Sequence, residues 1–222
     1  MENGKKRNSF TGSLGFVLAA AGSAVGLGNI WRFPYLAAKD GGGLFLVIYI
    51  ILALEHGCFM MGTLYYVLYL FIRGDVPQIF YVAEISWISS YLFLHTYQIV
   101  RRDGEKSRFA PVPAVCAAVI FIVAMRSEIF GPAILSTGAF AVTVGAITYI
   151  AVFHMQYGDD IRLTDVWPLI CVILQLVLYI SSHFFNDYTK FNLYFLIDFV
   201  LTFSVAGLLP CTVSEVKKHD VH

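Results

Sequence analysis

The sequence predicts an all-α, polytopic integral membrane protein with seven or eight membrane segments. Its 222 residues are 58% hydrophobic and only 14% charged, whereas soluble domains carry about 25% charged residues. Apolar runs of about 20 residues follow one another along the chain, and each can cross a bilayer core of about 30 Å. Short stretches with Gly, Pro and charged residues separate these runs and predict turns.

The apolar runs are predicted as helices in chain order. A basic tail, residues 1–11, precedes a first helix that reaches about residue 36, where Pro34 and three glycines at 41–43 make a turn. Residues 44–72 form a second apolar run, which is interrupted by Glu55, His56 and Gly57. Five further runs follow, at residues 79–100, 110–125, 129–153, 166–185 and 191–209.

The first apolar stretch is too rich in glycine for a plain membrane anchor. Gly22, Gly26 and Gly28 lie in its middle, and each glycine costs about 1 kcal/mol in a helix interior. We therefore predict a first helix that is unwound at its centre, where freed backbone carbonyls and the Asn29 side chain coordinate a cation. The alternative is that these small residues only form a close helix-packing face.

A long motif in this stretch carries a family resemblance. Residues 14–54 read LGFVLAAAGSAVGLGNIWRFPYLAAKDGGGLFLVIYIILAL. This string resembles the first helix and the start of the second in the neurotransmitter:sodium symporter family, especially its bacterial amino-acid transporters. The resemblance covers residues 7–54.

The resemblance implies roles for individual residues of the first helix. One sodium ion is expected to face the carbonyls of Gly22 and Val25, and another the carbonyl of Ala24 and the side chain of Asn29. Residues expected to line the carboxylate and amino end of the substrate are Ser23, Ala24, Leu27 and Gly28. Arg32 corresponds to the extracellular gate and Arg7 to the cytoplasmic gate, while Phe10 replaces the tryptophan usual in the family.

The chain departs from the family pattern after residue 54. The family continues with a Gly-x-Pro-Leu turn and a later glutamate, whereas this chain reads EHGCFMMGTLYY from Glu55. We therefore expect two parts. Residues 1–54 form a symporter-like first helix and the start of a second, and residues 55–222 form a multi-helix membrane unit of an unrecognised family.

The distribution of basic residues tests how often residues 44–72 cross the membrane. With one crossing and a cytoplasmic N-terminus, the inside holds six basic residues: Lys5, Lys6, Arg7, Arg73, Arg126 and Lys190. The outside then holds eight, against the positive-inside rule: Lys39, Arg101, Arg102, Lys106, Arg108, Arg162, Lys217 and Lys218.

Two crossings within residues 44–72 give the opposite result. The inside then holds ten basic residues: Lys5, Lys6, Arg7, Arg101, Arg102, Lys106, Arg108, Arg162, Lys217 and Lys218. The outside holds four: Lys39, Arg73, Arg126 and Lys190. This satisfies the rule, but each crossing needs about 20 residues. The conflict leads to the hypothesis that two segments of different topology meet near Glu55, as in a fused or truncated gene.

Ionisable residues within the apolar runs are the further candidate site residues. Glu84 and Asp198 lie inside predicted spans, where an ionised side chain costs several kcal/mol and is often functional. The histidines at 95, 154 and 183 are better explained as structural hydrogen-bonding groups. No nucleophile elbow, phosphate loop or HExxH pattern occurs, so an enzyme is not expected.

The expected function is sodium-coupled symport of an amino acid or a related small substrate, by a truncated or fused chain whose ability to transport alone the sequence leaves open. The alternative is a membrane sensor or anchor module with a symporter-derived N-terminus. No cofactor is expected besides sodium as the coupling ion. The expected partners are the lipid bilayer, sodium and the substrate, without nucleic acid, in the bacterial cytoplasmic (inner) membrane; the sequence leaves the oligomeric state open.

Overall fold

The fold is all-α throughout the part of the chain that the structure describes. The computed structural model describes residues 43–74, 81–101, 109–127, 133–158, 161–185 and 191–219, and no strand occurs in these ranges. It contains six helices there: α1 (Gly43–Arg73), α2 (Tyr81–Arg101), α3 (Pro111–Arg126), α4 (Ile134–Tyr157), α5 (Leu163–Ser182) and α6 (Leu193–His219). The predicted all-α class is confirmed.

Two compact units divide the chain, residues 1–46 and residues 47–222. The described part of the first unit is Gly43–Leu46, the first residues of α1. The predicted unwinding of the first helix lies outside the described residues. All packing reported below belongs to the second unit.

The second apolar run is one continuous helix. Glu55, His56 and Gly57 lie inside α1, which is 31 residues long and therefore about 46 Å at about 1.5 Å per residue. The alternative with two crossings between residues 44 and 72 is wrong, because no turn interrupts this helix. A single glycine is tolerated there, since its cost is only about 1 kcal/mol.

The core of the second unit surrounds α4. This helix packs against α2, α3 and α5, and α5 packs in turn against α6. Phe140, Val144 and Ile147 of α4 are fully buried, and Tyr91 of α2 meets the Phe140 ring edge to face at 5.3 Å between centroids. Such T-shaped contacts add about 0.5–1.5 kcal/mol beyond the area that they bury.

Glycines allow two close helix contacts that each involve a tryptophan. A Cβ atom added at Gly62 of α1 would lie 2.7 Å from Nε1 of Trp87 on α2. A Cβ atom added at Gly207 of α6 would lie 2.8 Å from Cζ2 of Trp167 on α5. The indole of Trp167 also donates a hydrogen bond to the Ser204 carbonyl at 2.6 Å. The ring of each tryptophan thus packs directly against a glycine of the neighbouring helix.

Two glycines of α4, Gly138 and Gly145, are seven residues apart and make less close contacts than Gly62 and Gly207. A Cβ atom at Gly145 would lie 3.5 Å from the Ala117 carbonyl of α3, which is ordinary contact. At Gly138, no residue in the described ranges lies within 4 Å of an added Cβ atom.

Contacts at the helix ends show which ends lie together. We call the end with the carboxyl termini of α2 and α4 and the amino terminus of α5 the basic end, because Arg101, His154 and Asp165 meet there. At the other end, which we call the opposite end, a ring nitrogen of His183 donates to the Ser127 carbonyl at 3.0 Å. The helices therefore run up and down through the unit.

Four of the described helices are long and apolar enough to cross a membrane: Leu46–Arg73, Ile134–Tyr157, Leu163–Ser182 and Leu193–Thr212. Helix α3 has only 16 residues, and α2 has 21 residues that include Glu84 and His95. Large apolar side chains such as Leu135, Phe199 and Phe203 are exposed, as expected for surfaces that face lipid. The predicted number of seven or eight spans stays a prediction.

Candidate functional site

The predicted sodium and substrate site lies outside the described residues. This applies to all its first-helix candidates: Gly22, Ser23, Ala24, Val25, Leu27, Gly28 and Asn29. The two gate residues, Arg7 and Arg32, also precede the described part of the chain. Their roles stay predictions.

Glu84 is buried inside the bundle near its opposite end. Glu84 lies on α2 and is 2% exposed, and Ser136 of α4 lies within hydrogen-bonding reach of its carboxyl group. The other carboxyl oxygen, Oε2, has no hydrogen-bond partner among the residues that the structure describes. A buried acceptor that lacks a partner costs about 1–3 kcal/mol, so Glu84 stays a candidate site residue.

Asp198 approaches the same region from another helix. It is half-buried on α6 and lies within electrostatic range of the Tyr179 side chain on α5. Glu84 is also within electrostatic range of Tyr179. The structure therefore brings the two predicted intramembrane acids toward one tyrosine, although they are 114 residues apart in sequence (198 − 84).

Of the three histidines that were predicted to be structural, His154 and His183 contact other parts of the bundle. His154 lies 3.6 Å from Asp165, and His183 bonds the Ser127 carbonyl. His95 is half-buried, and its Nδ1 has no partner within the described ranges.

Sequence reasoning did not single out a third buried carboxyl group, that of Glu55. This residue is 2% exposed near the middle of α1, and Ser90 of α2 donates a hydrogen bond to its Oε1 at 3.1 Å. Its Oε2 contacts Nδ1 of the neighbouring His56. A charged residue in the middle of an apolar run was the available signal, but it was interpreted as an interruption of the helix.

Tyr91, the residue that follows Ser90 on α2, links the surroundings of Glu55 to α5. The hydroxyl of Tyr91 donates toward Gln175 Oε1 at 3.1 Å and lies 3.3 Å from the Cys171 carbonyl. Tyr91 is 2% exposed and Gln175 is 4% exposed. Because buried polar groups need partners, these bonds fix the positions of α1, α2 and α5 relative to one another.

A second polar cluster marks the basic end. The carboxylate of Asp165 lies 3.8 Å from Arg101 Nη1 and accepts a hydrogen bond from the Arg162 backbone at 3.2 Å. This bond caps α5, which therefore begins at Leu163 rather than at the predicted residue 166. Asp165, Arg101 and His154 are largely buried, so the cluster is a structural clamp between three helix ends.

The N-terminal part of the chain matches a family of sodium-coupled transporters. Residues 7–69 match the family model of the sodium:neurotransmitter symporter family. The match reaches 15 residues beyond residue 54 (69 − 54) and includes Glu55 and Gly62 of α1. The predicted resemblance is confirmed for this segment, and the family that it matches is a family of transporters.

Individual relatives also match only a segment. A sodium- and chloride-dependent creatine transporter of Bos taurus is 53% identical over 51 residues, which cover 23% of this chain and 8% of that protein. An uncharacterized sodium-dependent transporter of Methanocaldococcus jannaschii is 34% identical over 112 residues, which cover 40% of this chain and 23% of that protein.

An uncharacterized sodium-dependent transporter of Bacillus subtilis is 48% identical over 53 residues, covering 24% of this chain and 12% of that protein. The chain thus spans less than a quarter of the length of these relatives: 8%, 23% and 12%. No solved structure matches it significantly. Together with the apolar helices, the matches identify an integral membrane protein.

Proposed function

We propose that this protein is a sodium-coupled, symporter-like membrane protein for an amino acid or a related small substrate. The observation that carries the proposal is the match of residues 7–69 to the symporter family model. Sodium is the coupling ion in this proposal, and the similarity to sodium-dependent transporters from animals, archaea and bacteria supports it.

The first helix supplies the binding groups in this proposal. Sodium contacts the carbonyls of Gly22, Ala24 and Val25 and the side chain of Asn29. The substrate lies against Ser23, Ala24, Leu27 and Gly28, with Arg7 and Arg32 as gates. Sodium binding orders the unwound segment, and the sodium gradient drives alternating access around a site near the bilayer midplane.

Residues 22–29 supply only part of a complete coordination shell. A cation that is bound by one segment needs ligands from elsewhere, because its hydration shell must be replaced by protein oxygens. We therefore propose that residues 22–29 act as one portion of a transport site that other residues of the chain, or a second copy of it, complete, and that the domain boundary falls near Glu55. The bacterial cytoplasmic membrane is the proposed location.

A second candidate function rests on the buried acids of the second unit. Glu84 and Asp198 lie beyond residue 69, where the family match ends, and both face the interior near Tyr179. The alternative is therefore a membrane sensor module that carries a symporter-derived N-terminal anchor. A working sodium site gains stability when sodium is present, whereas an anchor gains none.

Uptake into proteoliposomes tests the proposal. We expect sodium-dependent uptake of a mixed pool of radiolabelled amino acids, and a loss of about tenfold or more with Asn29→Ala, since about 1.4 kcal/mol of lost binding is tenfold. Asn192→Ala is the control, because Asn192 lies at the start of α6, outside the matched segment. Equal uptake in sodium and potassium would contradict sodium coupling.

A further inference from the structure

Among the described contacts of Glu55, only His56 is able to balance the negative charge of the carboxylate. The arginines with described positions in the bundle, Arg73, Arg101, Arg126 and Arg162, lie at helix ends or in connections. No lysine or arginine contacts Glu55 within the described part of the chain, whereas His56 contacts its Oε2. Glu55 itself is 2% exposed. An unbalanced carboxylate is costly there, because the apolar interior solvates charge poorly.

The contacts of the His56 ring determine where its hydrogen lies. Nδ1 faces two acceptors, the Leu52 carbonyl oxygen at 2.9 Å and the Glu55 carboxyl oxygen. Two acceptors require a donor between them, so Nδ1 carries a hydrogen. Nε2 is then the basic nitrogen, and it is buried without a hydrogen-bond partner among the described residues.

The groups beside Glu55 disfavour a hydrogen on its oxygens. Ser90 donates a hydrogen bond to Oε1, and Oε2 lies against the Nδ1 hydrogen of His56 without a hydrogen-bond partner among the described residues. A hydrogen on Oε2 would therefore oppose the Nδ1 hydrogen. With Nε2 unprotonated, the pair carries one net negative charge. With Nε2 protonated, the pair is neutral.

We propose that Glu55 and His56 form a proton-binding site inside the helix bundle, with Nε2 of His56 as the atom that takes up the proton. The Nε2 lone pair binds H⁺, an N–H bond forms, and the net charge of the pair changes from minus one to zero. The backbone of Val205 on α6 faces the ring and offers an acceptor for that hydrogen. This inference does not depend on the proposed sodium site.

The other groups that face the pair leave its charge unchanged. Tyr91 of α2 faces Glu55, but its hydroxyl donates toward Gln175. Cys171 of α5 and Cys58 of α1 face it as neutral thiols. The backbone of Val205 is the neighbouring group from α6. Proton uptake is therefore confined to the histidine of the pair.

Nitrogen NMR of the full chain in lipid bilayers tests the site. With ¹⁵N-labelled histidine we expect an imidazolium signal at about pH 8, above the value of about 6.5 at which an unperturbed histidine titrates. His56→Asn should remove this signal. Glu55→Gln should convert it to a neutral imidazole signal at the same pH, because the balancing charge is gone while the shape is kept.

His183→Asn is the matched control, because that exposed ring bonds the Ser127 carbonyl at the opposite end of the bundle. This substitution should leave the imidazolium signal unchanged. The proposal is overturned if no imidazolium signal survives at about pH 8 or if the signal persists in His56→Asn. It is also overturned if Glu55→Gln keeps the imidazolium form.

Discussion

At the scale of single residues, Ser90 and Tyr91 hold the buried polar groups at the centre of the bundle. Ser90 bonds the carboxyl group of Glu55, and the adjacent Tyr91 bonds Gln175, so neighbouring residues of α2 serve two different helices. Hydrogen bonds to charged groups contribute about 1.5–3 kcal/mol, and a buried acceptor that loses its donor costs a similar amount. Small substitutions here should therefore have large effects.

Ser90→Ala removes a donor to Glu55 without adding volume. We expect the free energy of unfolding to fall by about 1.5–3 kcal/mol, because a charged acceptor loses a bond in an apolar environment. Unfolding by urea in detergent micelles measures the change. Ser89→Ala is the control, because Ser89 is only partly buried, and it should change stability by less than about 0.5 kcal/mol. Equal effects of the two substitutions would contradict the bond to Glu55.

Tyr91→Phe removes only the hydroxyl group that bonds Gln175. We expect a loss of about 1–3 kcal/mol in the free energy of unfolding, because Gln175 Oε1 loses this donor inside the bundle. Tyr65→Phe on α1 is the comparison, since Tyr65 is only partly buried and contacts the Tyr69 ring. The same unfolding assay applies. If Tyr91→Phe leaves the free energy of unfolding unchanged, the bond between Tyr91 and Gln175 contributes nothing to stability.

At the scale of elements, two glycines of α1 have opposite surroundings. No described residue lies within 4 Å of a Cβ atom added at Gly57, whereas an added Cβ atom at Gly62 would lie 2.7 Å from Trp87 Nε1 and 3.2 Å from the Ala83 carbonyl. Helix propensity favours alanine at both positions by about 1 kcal/mol. Packing alone therefore separates the two substitutions.

Gly57→Ala should stabilise the protein by up to about 1 kcal/mol, through helix propensity. Gly62→Ala should destabilise it by about 1–3 kcal/mol, because the added methyl group forces α1 and α2 apart. Thermal unfolding of both variants in the same detergent gives the two signs. Stabilisation by both substitutions would show that α1 and α2 do not approach closely at Gly62.

The same elements show how far sequence patterns predict this fold. The apolar runs at 79–100 and 110–125 correspond closely to α2 and α3, Tyr81–Arg101 and Pro111–Arg126, because polar turn segments bound each run. The start of α5 was missed by three residues, since Asp165 caps the helix from inside its first turn. Glu55 was missed as a site because its partner Ser90 is 35 residues away. Partners at such a distance depend on packing, which an apolar pattern does not record.

At the scale of the whole molecule, the distribution of basic residues predicts an orientation. In sequence, seven basic residues lie in or next to the helix termini of the basic end: Arg101, Arg102, Lys106, Arg108, Arg162, Lys217 and Lys218. Three lie in or next to the helix termini of the opposite end: Arg73, Arg126 and Lys190. The positive-inside rule therefore places the basic end in the cytoplasm.

This orientation has a consequence for α1. Glu55 meets Ser90 and Gly62 meets Trp87, so α1 runs antiparallel to α2, and its Val47 side lies toward the basic end. The start of α1 is then cytoplasmic. A symporter-like first helix that crosses once from a cytoplasmic N-terminus would instead place that start outside. The junction between the matched segment and the rest of the chain is therefore where topology must be measured.

Cysteine labelling in intact cells measures the orientation. In a cysteine-free background, we expect Gly104→Cys, between α2 and α3, to be protected from an impermeant maleimide. Phe184→Cys at the opposite end, where the side chain is 77% exposed, should react. Labelling of position 104 together with protection of position 184 would reverse the orientation and contradict the charge argument.

Direct binding of radioactive sodium to the purified chain tests for a sodium site in the symporter-like segment. We expect binding that unlabelled sodium displaces and potassium does not. Asn29→Ala should weaken this binding by about tenfold or more, and Asn192→Ala should leave it unchanged. Binding that potassium displaces equally well, or that is the same in Asn29→Ala as in the unaltered chain, would contradict a sodium site in the symporter-like segment.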